Sequence, residues 1–213
     1  MKKNLCLFIS FILLINYVHA QKTLVGLTAG ASFASYKFKA ESISMTSKTH
    51  VGFTAGLVSS VPMGRNFSFM PQLNFVQKGG KLSDEGTTDK VTLNYIELPL
   101  NFVFNTSTAK GKFFIGAGPS LSMGLSGKDK WSDDNESGKE DIKFGSSSDD
   151  DLKPFEIGVN ILAGYQFTSG FFISANYNAQ LNNSAPDDPG FDGKYHNRYF
   201  GIRIGYMFSG KVK

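Results

Sequence analysis

The chain has 213 residues, a length that suits one domain. Its formal net charge of +4 is too small to predict nucleic-acid binding. Its one cysteine, Cys6, lies in an N-terminal apolar run, so disulfides and cysteine-based catalytic or metal sites are excluded from the rest of the chain. The mean hydropathy of −0.15 is that of a soluble protein. A membrane-spanning strand turns only half of its residues to lipid, however, so this average does not exclude a membrane β-barrel.

Residues 1–20, MKKNLCLFISFILLINYVHA, have the features of a secretory signal peptide. Lys2 and Lys3 precede an apolar core, and the sequence VHA at residues 18–20 places small or compact residues where a signal peptidase reads them. The apolar run is too short to cross a membrane comfortably as a helix. We therefore expect residues 1–20 to be removed and residues 21–213 to form the mature domain.

Eight segments of the remaining chain alternate large apolar residues with small or polar ones, which is the period of a β-strand. Each is about ten to thirteen residues long. That is longer than the usual strand of about five or six residues and suits a tilted strand that crosses a bilayer, which needs about nine to eleven. In chain order the segments are Leu24–Tyr36, Thr49–Val61, Asn66–Lys78, Asn94–Asn105, Lys112–Gly124, Pro154–Phe167, Phe171–Leu181 and Arg198–Phe208.

The second face of these segments favours a membrane barrel over a soluble sandwich. In the fourth segment Ile96, Leu98 and Phe102 alternate with Glu97 and Asn101, and elsewhere the second face is mostly Gly, Ser, Asn and Gln. Small polar residues fit the crowded interior of a narrow barrel whose outer wall meets lipid. The alternative is a secreted soluble β-sandwich, in which the large apolar residues would form the core and the small polar face would contact water.

The connections between the segments alternate in length. They are short after the second, fourth and sixth segments and longer after the others, and the longest, residues 126–153, is expected to be a flexible acidic loop. Large aromatic residues stand at the segment ends beside the short connections: Phe67, Phe104, Phe113, Phe167, Phe171 and Phe208.

Short turns on one side, long loops on the other and aromatic girdles are typical of outer-membrane barrels. We therefore predict an all-β fold, a transmembrane eight-stranded antiparallel up-and-down β-barrel formed by residues 21–213. Its location would be the cell outer membrane, with the long loops extracellular and both termini periplasmic.

Four charged residues are predicted to meet inside the barrel. Glu97, Glu156 and Arg203 fall on the inner face, and Lys78 does so if the third segment keeps its alternation. A charge in a narrow lumen is costly unless it is paired. We expect these residues to form a structural plug, in preference to a gating or ion-selecting salt bridge, because eight strands leave an interior that side chains fill.

Three prolines, Pro71, Pro99 and Pro119, lie within predicted strands. A closed ladder has no free edge at which a missing N–H donor is harmless. We therefore expect a local β-bulge at each proline.

No metal, cofactor or catalytic site is predicted. Asp133, Asn135, Ser137 and Gly138 match the first half of an EF-hand calcium loop, but Phe144 stands where the bidentate Glu is required. The mature chain holds two histidines, at positions 50 and 196, without a nucleophile elbow, a zinc spacing or a phosphate loop.

The sequences NYIELPLNFVF at residues 94–104, FFIGAGPSLS at 113–122 and YFGIRIGYMF at 199–208, together with the signal peptide, resemble a known family. They are similar to the small outer-membrane β-barrel proteins of Bacteroidetes, the "porin family" group that includes PorT-like proteins. The resemblance covers essentially the whole mature chain. It implies a monomeric barrel inserted by the general assembly machinery, and its motifs are architectural and do not specify an activity.

We therefore expect an integral outer-membrane protein with a structural or interaction role, in envelope integrity, adhesion or partner contact through extracellular loops. Its expected partners are outer-membrane lipid, lipopolysaccharide and a protein bound by the loops, with no nucleic acid. One alternative is a component of a secretion or transport assembly, as the PorT-like resemblance implies. A second is a narrow ion channel, and a lipid-modifying barrel enzyme is the least favoured.

Overall fold

The computed structural model describes residues 23–40, 43–84, 87–133, 136–147, 149–186 and 193–208. The strands in this part of the chain are β1 (Leu24–Ala40), β2 (Ile43–Thr46), β3 (His50–Pro62), β4 (Phe67–Asp84), β5 (Thr87–Thr108), β6 (Gly111–Ser132), β7 (Ser137–Ile142), β8 (Phe155–Phe167), β9 (Phe171–Gln180) and β10 (Gly193–Phe208). The predicted signal peptide lies outside the described residues. A helix long and apolar enough to cross a membrane does not occur in the described ranges.

Eight of these strands form a closed antiparallel barrel. The order around the wall is β10-β9-β8-β6-β5-β4-β3-β1, and β1 pairs with β10 to complete the ring. This closing seam is continuous from the pair Val25–Phe208 to the pair Ala40–Gly193. The predicted eight-stranded up-and-down topology is confirmed, and closure leaves the wall without an unpaired edge.

The outer surface of the barrel carries a belt of large apolar side chains. On β1 and β10 the belt runs from Val25 and Phe208 to Phe33 and Phe200, and polar or basic residues follow on the same face. The phenylalanines predicted at the strand ends point outward and are exposed. We call the end of the barrel that carries the turns 63–66, 109–110 and 168–170 the short-turn end, and the opposite end the long-loop end.

Five of the barrel strands, β1, β4, β5, β6 and β10, extend further at the long-loop end than the alternation predicted. Both β5 and β6 have 22 residues. Strand β7 then folds back on β6, from the pair Ser132–Ser137 to the pair Gly127–Ile142. The first half of the predicted flexible acidic loop is therefore an ordered β-hairpin. The sequence did not reveal it because both faces of this hairpin are mainly polar, so no alternation of apolar residues marks the strands.

The expected bulges at the prolines are not observed. The register of β4 against β5 is the same on both sides of Pro71 and Pro99, and that of β5 against β6 is the same on both sides of Pro119. A shift does occur, but between Asn94 and Tyr95. Each proline removes only one N–H donor, and the bonded pairs on either side hold the strands in register.

The interior is layered, and it is less uniformly polar than expected. Near the short-turn end an apolar cluster fills the barrel: Val58, Met70, Val103, Phe114, Leu162, Phe172 and Met207. A second cluster, rich in tyrosine, lies toward the long-loop end: Ala34, Tyr36, Val76, Leu93, Tyr95, Leu152, Ala185, Tyr195 and Tyr199. The buried charges and amides lie between these two layers, so the polar part of the lumen is capped by packed apolar groups above and below.

Candidate functional site

Three of the four predicted lumen residues form a buried ion-pair cluster, which we call the lumen plug. The Nζ atom of Lys78 lies 3.2 Å from Oε2 of Glu97 and 2.8 Å from Oε2 of Glu156. Lys78 is 1 % exposed and both carboxylates are buried. These residues come from β4, β5 and β8. Successive side chains of a strand point to opposite faces, and each of the three occupies a position on the inward face.

Ser122 of β6 lies between the two carboxylates. It pairs in register with Glu97 on one side and with Glu156 on the other. Its hydroxyl donates to Glu97 Oε2 at 3.3 Å and accepts from Lys78 Nζ at 3.2 Å. The lysine therefore has three oxygen partners, and none of its buried charge is left without compensation.

Arg203 joins this cluster only indirectly. Its Nη2 donates to the hydroxyl of Tyr199 at 3.0 Å, and that hydroxyl donates to Glu97 Oε1. Its Nη1 donates to Gln72 at 2.9 Å. Arg203 does not contact either carboxylate directly, but it brings the buried charges to two positive and two negative groups.

Two tyrosines and an asparagine of the cluster were not identified from the sequence. The Nζ of Lys78 lies 4.7 Å from the ring centre of Tyr95 and 5.6 Å from that of Tyr199, which are cation–π distances. Asn197 donates to Glu156 Oε1 at 2.6 Å. Tyr95 and Tyr199 occupy inward positions of predicted strands, which was the available signal, but their partners are far away along the chain. Asn197 lies one residue before the eighth predicted segment and falls in a strand only because β10 begins earlier, at Gly193.

A second polar layer lies below the plug. Asn160 donates to Asn101 at 2.9 Å, and Asn176 donates to Asn160 at 3.0 Å. Asn178 donates to Ser120 at 2.7 Å. These amides connect β5, β8 and β9 across the lumen, and together with the plug they fill the middle of the barrel with hydrogen-bonded side chains.

The calcium-loop and histidine motifs are not brought together into a site. Ser137 and Gly138 lie in the hairpin, paired with Ser132 and Trp131, and Asn135 lies outside the described residues. Over the described ranges, no group of three or more His, Cys, Asp or Glu side chains is placed to hold a metal ion. The two histidines lie on opposite faces of the wall, since His50 is buried inside and residue 196 alternates with buried neighbours.

A row of exposed lysines crosses the outer face at the long-loop end, above the apolar belt. Lys81 pairs with Lys48 and Lys90, Lys90 pairs with Lys130, and Lys130 pairs with Lys139. Adjacent strands are about 4.8 Å apart, so five like charges stand in one line. Within the described part of the chain none of the five forms an ion pair. We call them the lysine row.

Solved outer-membrane barrels have similar structures. OprG of Pseudomonas aeruginosa is 10% identical, with a TM-score of 0.50 over 89% of this chain and 98% of that one. Ail, the attachment invasion locus protein of Yersinia pestis, is 15% identical, with a TM-score of 0.43 over 88% and 99%. At these identities the likeness to OprG concerns the fold alone.

A family comparison gives the stronger result. Residues 19–185 match the family described as outer membrane protein beta-barrel domain. No curated protein sequence matches the chain significantly. The match covers more than half of the chain and agrees with the closed barrel and its apolar belt. The chain therefore belongs to the outer membrane protein beta-barrel family and is an integral protein of the outer membrane.

Proposed function

We propose that this protein is a non-conducting barrel that acts by contact at its long-loop end, in envelope integrity, adhesion or partner binding, and not by catalysis. In this proposal residues 1–20 direct export. The long-loop end faces the outside of the cell, and both termini face the periplasm. The observation that carries the proposal is the lumen plug, because it fills the middle of the barrel with paired charges.

The plug argues against the ion-channel alternative on energetic grounds. An ion that crossed the lumen would have to displace Lys78 from two buried carboxylates. Separating a buried ion pair costs several kcal/mol, about 3–5 where the effect of removing one partner has been measured. The apolar cluster below the plug adds a layer without polar groups to replace the hydration of an ion, and the tyrosine rings of the upper cluster narrow the lumen further.

Conductance in planar lipid bilayers tests the proposal. We expect the refolded protein to insert without discrete current steps. A variant with Lys78→Ser, Glu97→Ser and Glu156→Ser, checked for folding by its gel mobility, would show whether the plug alone closes the lumen or whether the packed clusters above and below it close the lumen as well. Discrete, ion-selective steps from the unmodified protein would refute the proposal and support the narrow channel.

The lysine row favours lipopolysaccharide as a contact of the outer face. Like charges placed directly opposite each other weaken a sheet, so a line of five lysines is expected to persist only if an anionic partner neutralises it. The phosphate groups of lipopolysaccharide lie at the level where an apolar belt ends. Basic side chains near an anionic surface contribute about 1 kcal/mol each.

Binding to lipopolysaccharide vesicles tests this partner. We expect Lys90→Gln with Lys130→Gln to weaken retention and reduce its dependence on salt. The matched control is Arg65→Gln with Lys110→Gln, which removes two charges at the short-turn end. The assignment of lipopolysaccharide to the lysine row would be contradicted if both variants lost the same amount of vesicle binding. It would also be contradicted if the unmodified protein bound dephosphorylated lipopolysaccharide equally well.

A role in a secretion assembly, as kinship with the Bacteroidetes PorT-like group would imply, is the alternative proposal for the protein partner. Cross-linking from cysteines introduced in the β6–β7 hairpin would capture such an assembly. Cross-links confined to lipid would favour the envelope role.

A further inference from the structure

A cavity of about 350 Å³ opens at the long-loop end, between the tyrosine-rich cluster and the β6–β7 hairpin. We call it the mouth cavity. Its walls are mainly apolar and aromatic, and they include Tyr36, Leu82, Val91, Ile142, Leu152 and Tyr195. Its volume falls within the range of small-molecule sites, about 300–1,000 Å³.

The charged groups that line the mouth cavity are all acidic. They are Asp89, Asp129, Glu140, Asp141 and Asp151, and the lining that the described residues form includes no lysine or arginine. Asp89 and Asp129 come from the extended parts of β5 and β6, where the outward residues Lys90 and Lys130 alternate with them. Two pairs of the hairpin therefore separate charge, with Asp129 and Glu140 toward the cavity and Lys130 and Lys139 toward the outside, while Asp141 lies opposite Lys128.

This separation of charge is costly for the hairpin itself. Asp129 lies directly opposite Glu140, and Lys130 lies directly opposite Lys139. Opposite charges across an antiparallel pair would stabilise it, whereas like charges destabilise it. The arrangement is consistent with a cationic ligand on the inner face, separate from the anionic partner of the lysine row.

A buried hydroxyl gives an independent sign of a missing partner. Tyr195 lines the cavity, is 8 % exposed, and its hydroxyl has no hydrogen-bond partner among the described residues. Its ring stacks on that of Tyr36, with the ring centres 4.9 Å apart. The Oδ1 atoms of Asp89 and Asp129 also lack donors when both groups are ionised, and a proton on Asp129 lets it donate to Asp89. Native structures satisfy nearly all buried polar groups, so an unpaired hydroxyl beside two carboxylates that lack donors when ionised points to a ligand that supplies donors.

We propose that the mouth cavity binds a small organic cation, in which an ammonium or guanidinium group is attached to an apolar body. The cation would donate hydrogen bonds to Asp89 and Asp129, and the stacked tyrosine rings would contact the positive charge. The apolar wall would bury the body. The carboxylates are not grouped closely enough within the described residues to hold a metal ion, which favours an organic cation.

The affinity should depend on pH through Asp129, which lies beyond the apolar belt. Burial, a hydrogen bond to Asp89 and the charges of Asp89 and Glu140 raise the pKa of Asp129 to about 7. Other groups that face it are Tyr36 of β1, Tyr195 of β10, Asp141 of β7 and Asp151. Below pH 7 Asp129 gains a proton and loses its charge, so cation binding should weaken as the pH falls from 8 to 5.5.

The single tryptophan of the chain provides the measurement. Trp131 lies opposite Asp89 in the register of β5 and β6. We would titrate the detergent-solubilised full chain with hexylamine and with hexanol, which has the same body without the charge. We expect a saturable fluorescence change with hexylamine at pH 8, at least about tenfold weaker binding at pH 5.5, and no saturable change with hexanol.

Matched variants assign the effect to the cavity. Asp89→Asn with Asp129→Asn should weaken hexylamine binding by about tenfold or more, since each loses a charge-assisted hydrogen bond. Glu136→Gln with Asp149→Asn removes two exposed acids outside the cavity lining and should bind as the unmodified protein does. Folding of each variant is checked by gel mobility.

Three outcomes would overturn the proposal: no saturable binding of hexylamine, binding of hexanol with equal affinity, or an equal loss of hexylamine affinity in the two double variants. A parallel titration with N-acetyl-lysine-N-methylamide distinguishes the source of the cation. Tighter binding than hexylamine would assign the cavity to a basic side chain of a peptide, and weaker binding would assign it to a free amine. This inference does not depend on whether the lumen conducts.

Discussion

Lys78 is held in the lumen by partners that the surrounding strands supply. Its ammonium group contacts Glu97, Glu156 and Ser122, and two tyrosine rings lie beside it. Burying an ion costs several kcal/mol, which attraction to well-placed partners can offset. A buried lysine at position 78 therefore depends on all of its partners. Removal of one charged group leaves the charge of the remaining groups uncompensated.

We expect Lys78→Met to lower the free energy of unfolding by about 3–5 kcal/mol, because it leaves two buried carboxylates without a cation. Urea unfolding in lipid vesicles, followed by gel mobility, measures this change. Lys81→Met, three residues along the same strand and exposed, is the matched control and should change stability by less than about 0.5 kcal/mol.

Neutralising the carboxylates as well provides the reciprocal test. Lys78→Met combined with Glu97→Gln and Glu156→Gln should recover much of the loss, since no buried charge is then left unpaired. A single Lys78→Met variant as stable as the Lys81→Met control would show that the ion pair contributes little to folding.

The β1–β10 seam is the element on which closure of the barrel depends. Gly30 of β1 pairs with Arg203, and a Cβ atom at Gly30 would lie 2.0 Å from the carbonyl oxygen of Ile202. A side chain there has to push the two strands apart. The residue is glycine because the backbones approach closely on the inner face, not because a turn requires it.

We expect Gly30→Val to destabilise the barrel by about 1–3 kcal/mol, the usual cost of overpacking, and to lower the folded fraction after refolding. Ala29→Val, which adds bulk on the outward face of the same strand, is the matched control. The yield of folded protein on unboiled gels measures both. An equal yield from the two variants would contradict the close approach at the seam.

The alternation of apolar and polar residues predicted the existence of the barrel strands well but their full length poorly. The alternation in each segment marked the faces of all eight barrel strands, because a period of two is a property of neighbouring residues. It did not mark the β6–β7 hairpin, where Lys128 and Asp129 give two polar faces. It also overestimated the effect of Pro71, because the bonds on either side of one missing donor maintain the register.

The whole barrel should behave as one closed unit in detergent. Because β1 pairs with β10, the wall has no edge at which SDS can begin to separate strands. We expect the unboiled protein to migrate faster than the boiled protein, and protease added to intact cells to cleave between β6 and β7. A single band that boiling does not shift, from a protein soluble without detergent, would contradict the membrane barrel.

The amino-acid sequence alone determined the number of barrel strands, the face that each side chain of the eight predicted segments occupies and the end of the barrel that carries the short turns. These are consequences of alternation and connection length, which are read along the chain. Only the tertiary structure decided that Lys78 meets Glu156, 78 residues away, that Arg203 reaches Glu97 through Tyr199, and that acidic side chains surround an apolar cavity. Contacts across a barrel depend on the register of every intervening strand, and that register is set by the closure of the whole ring.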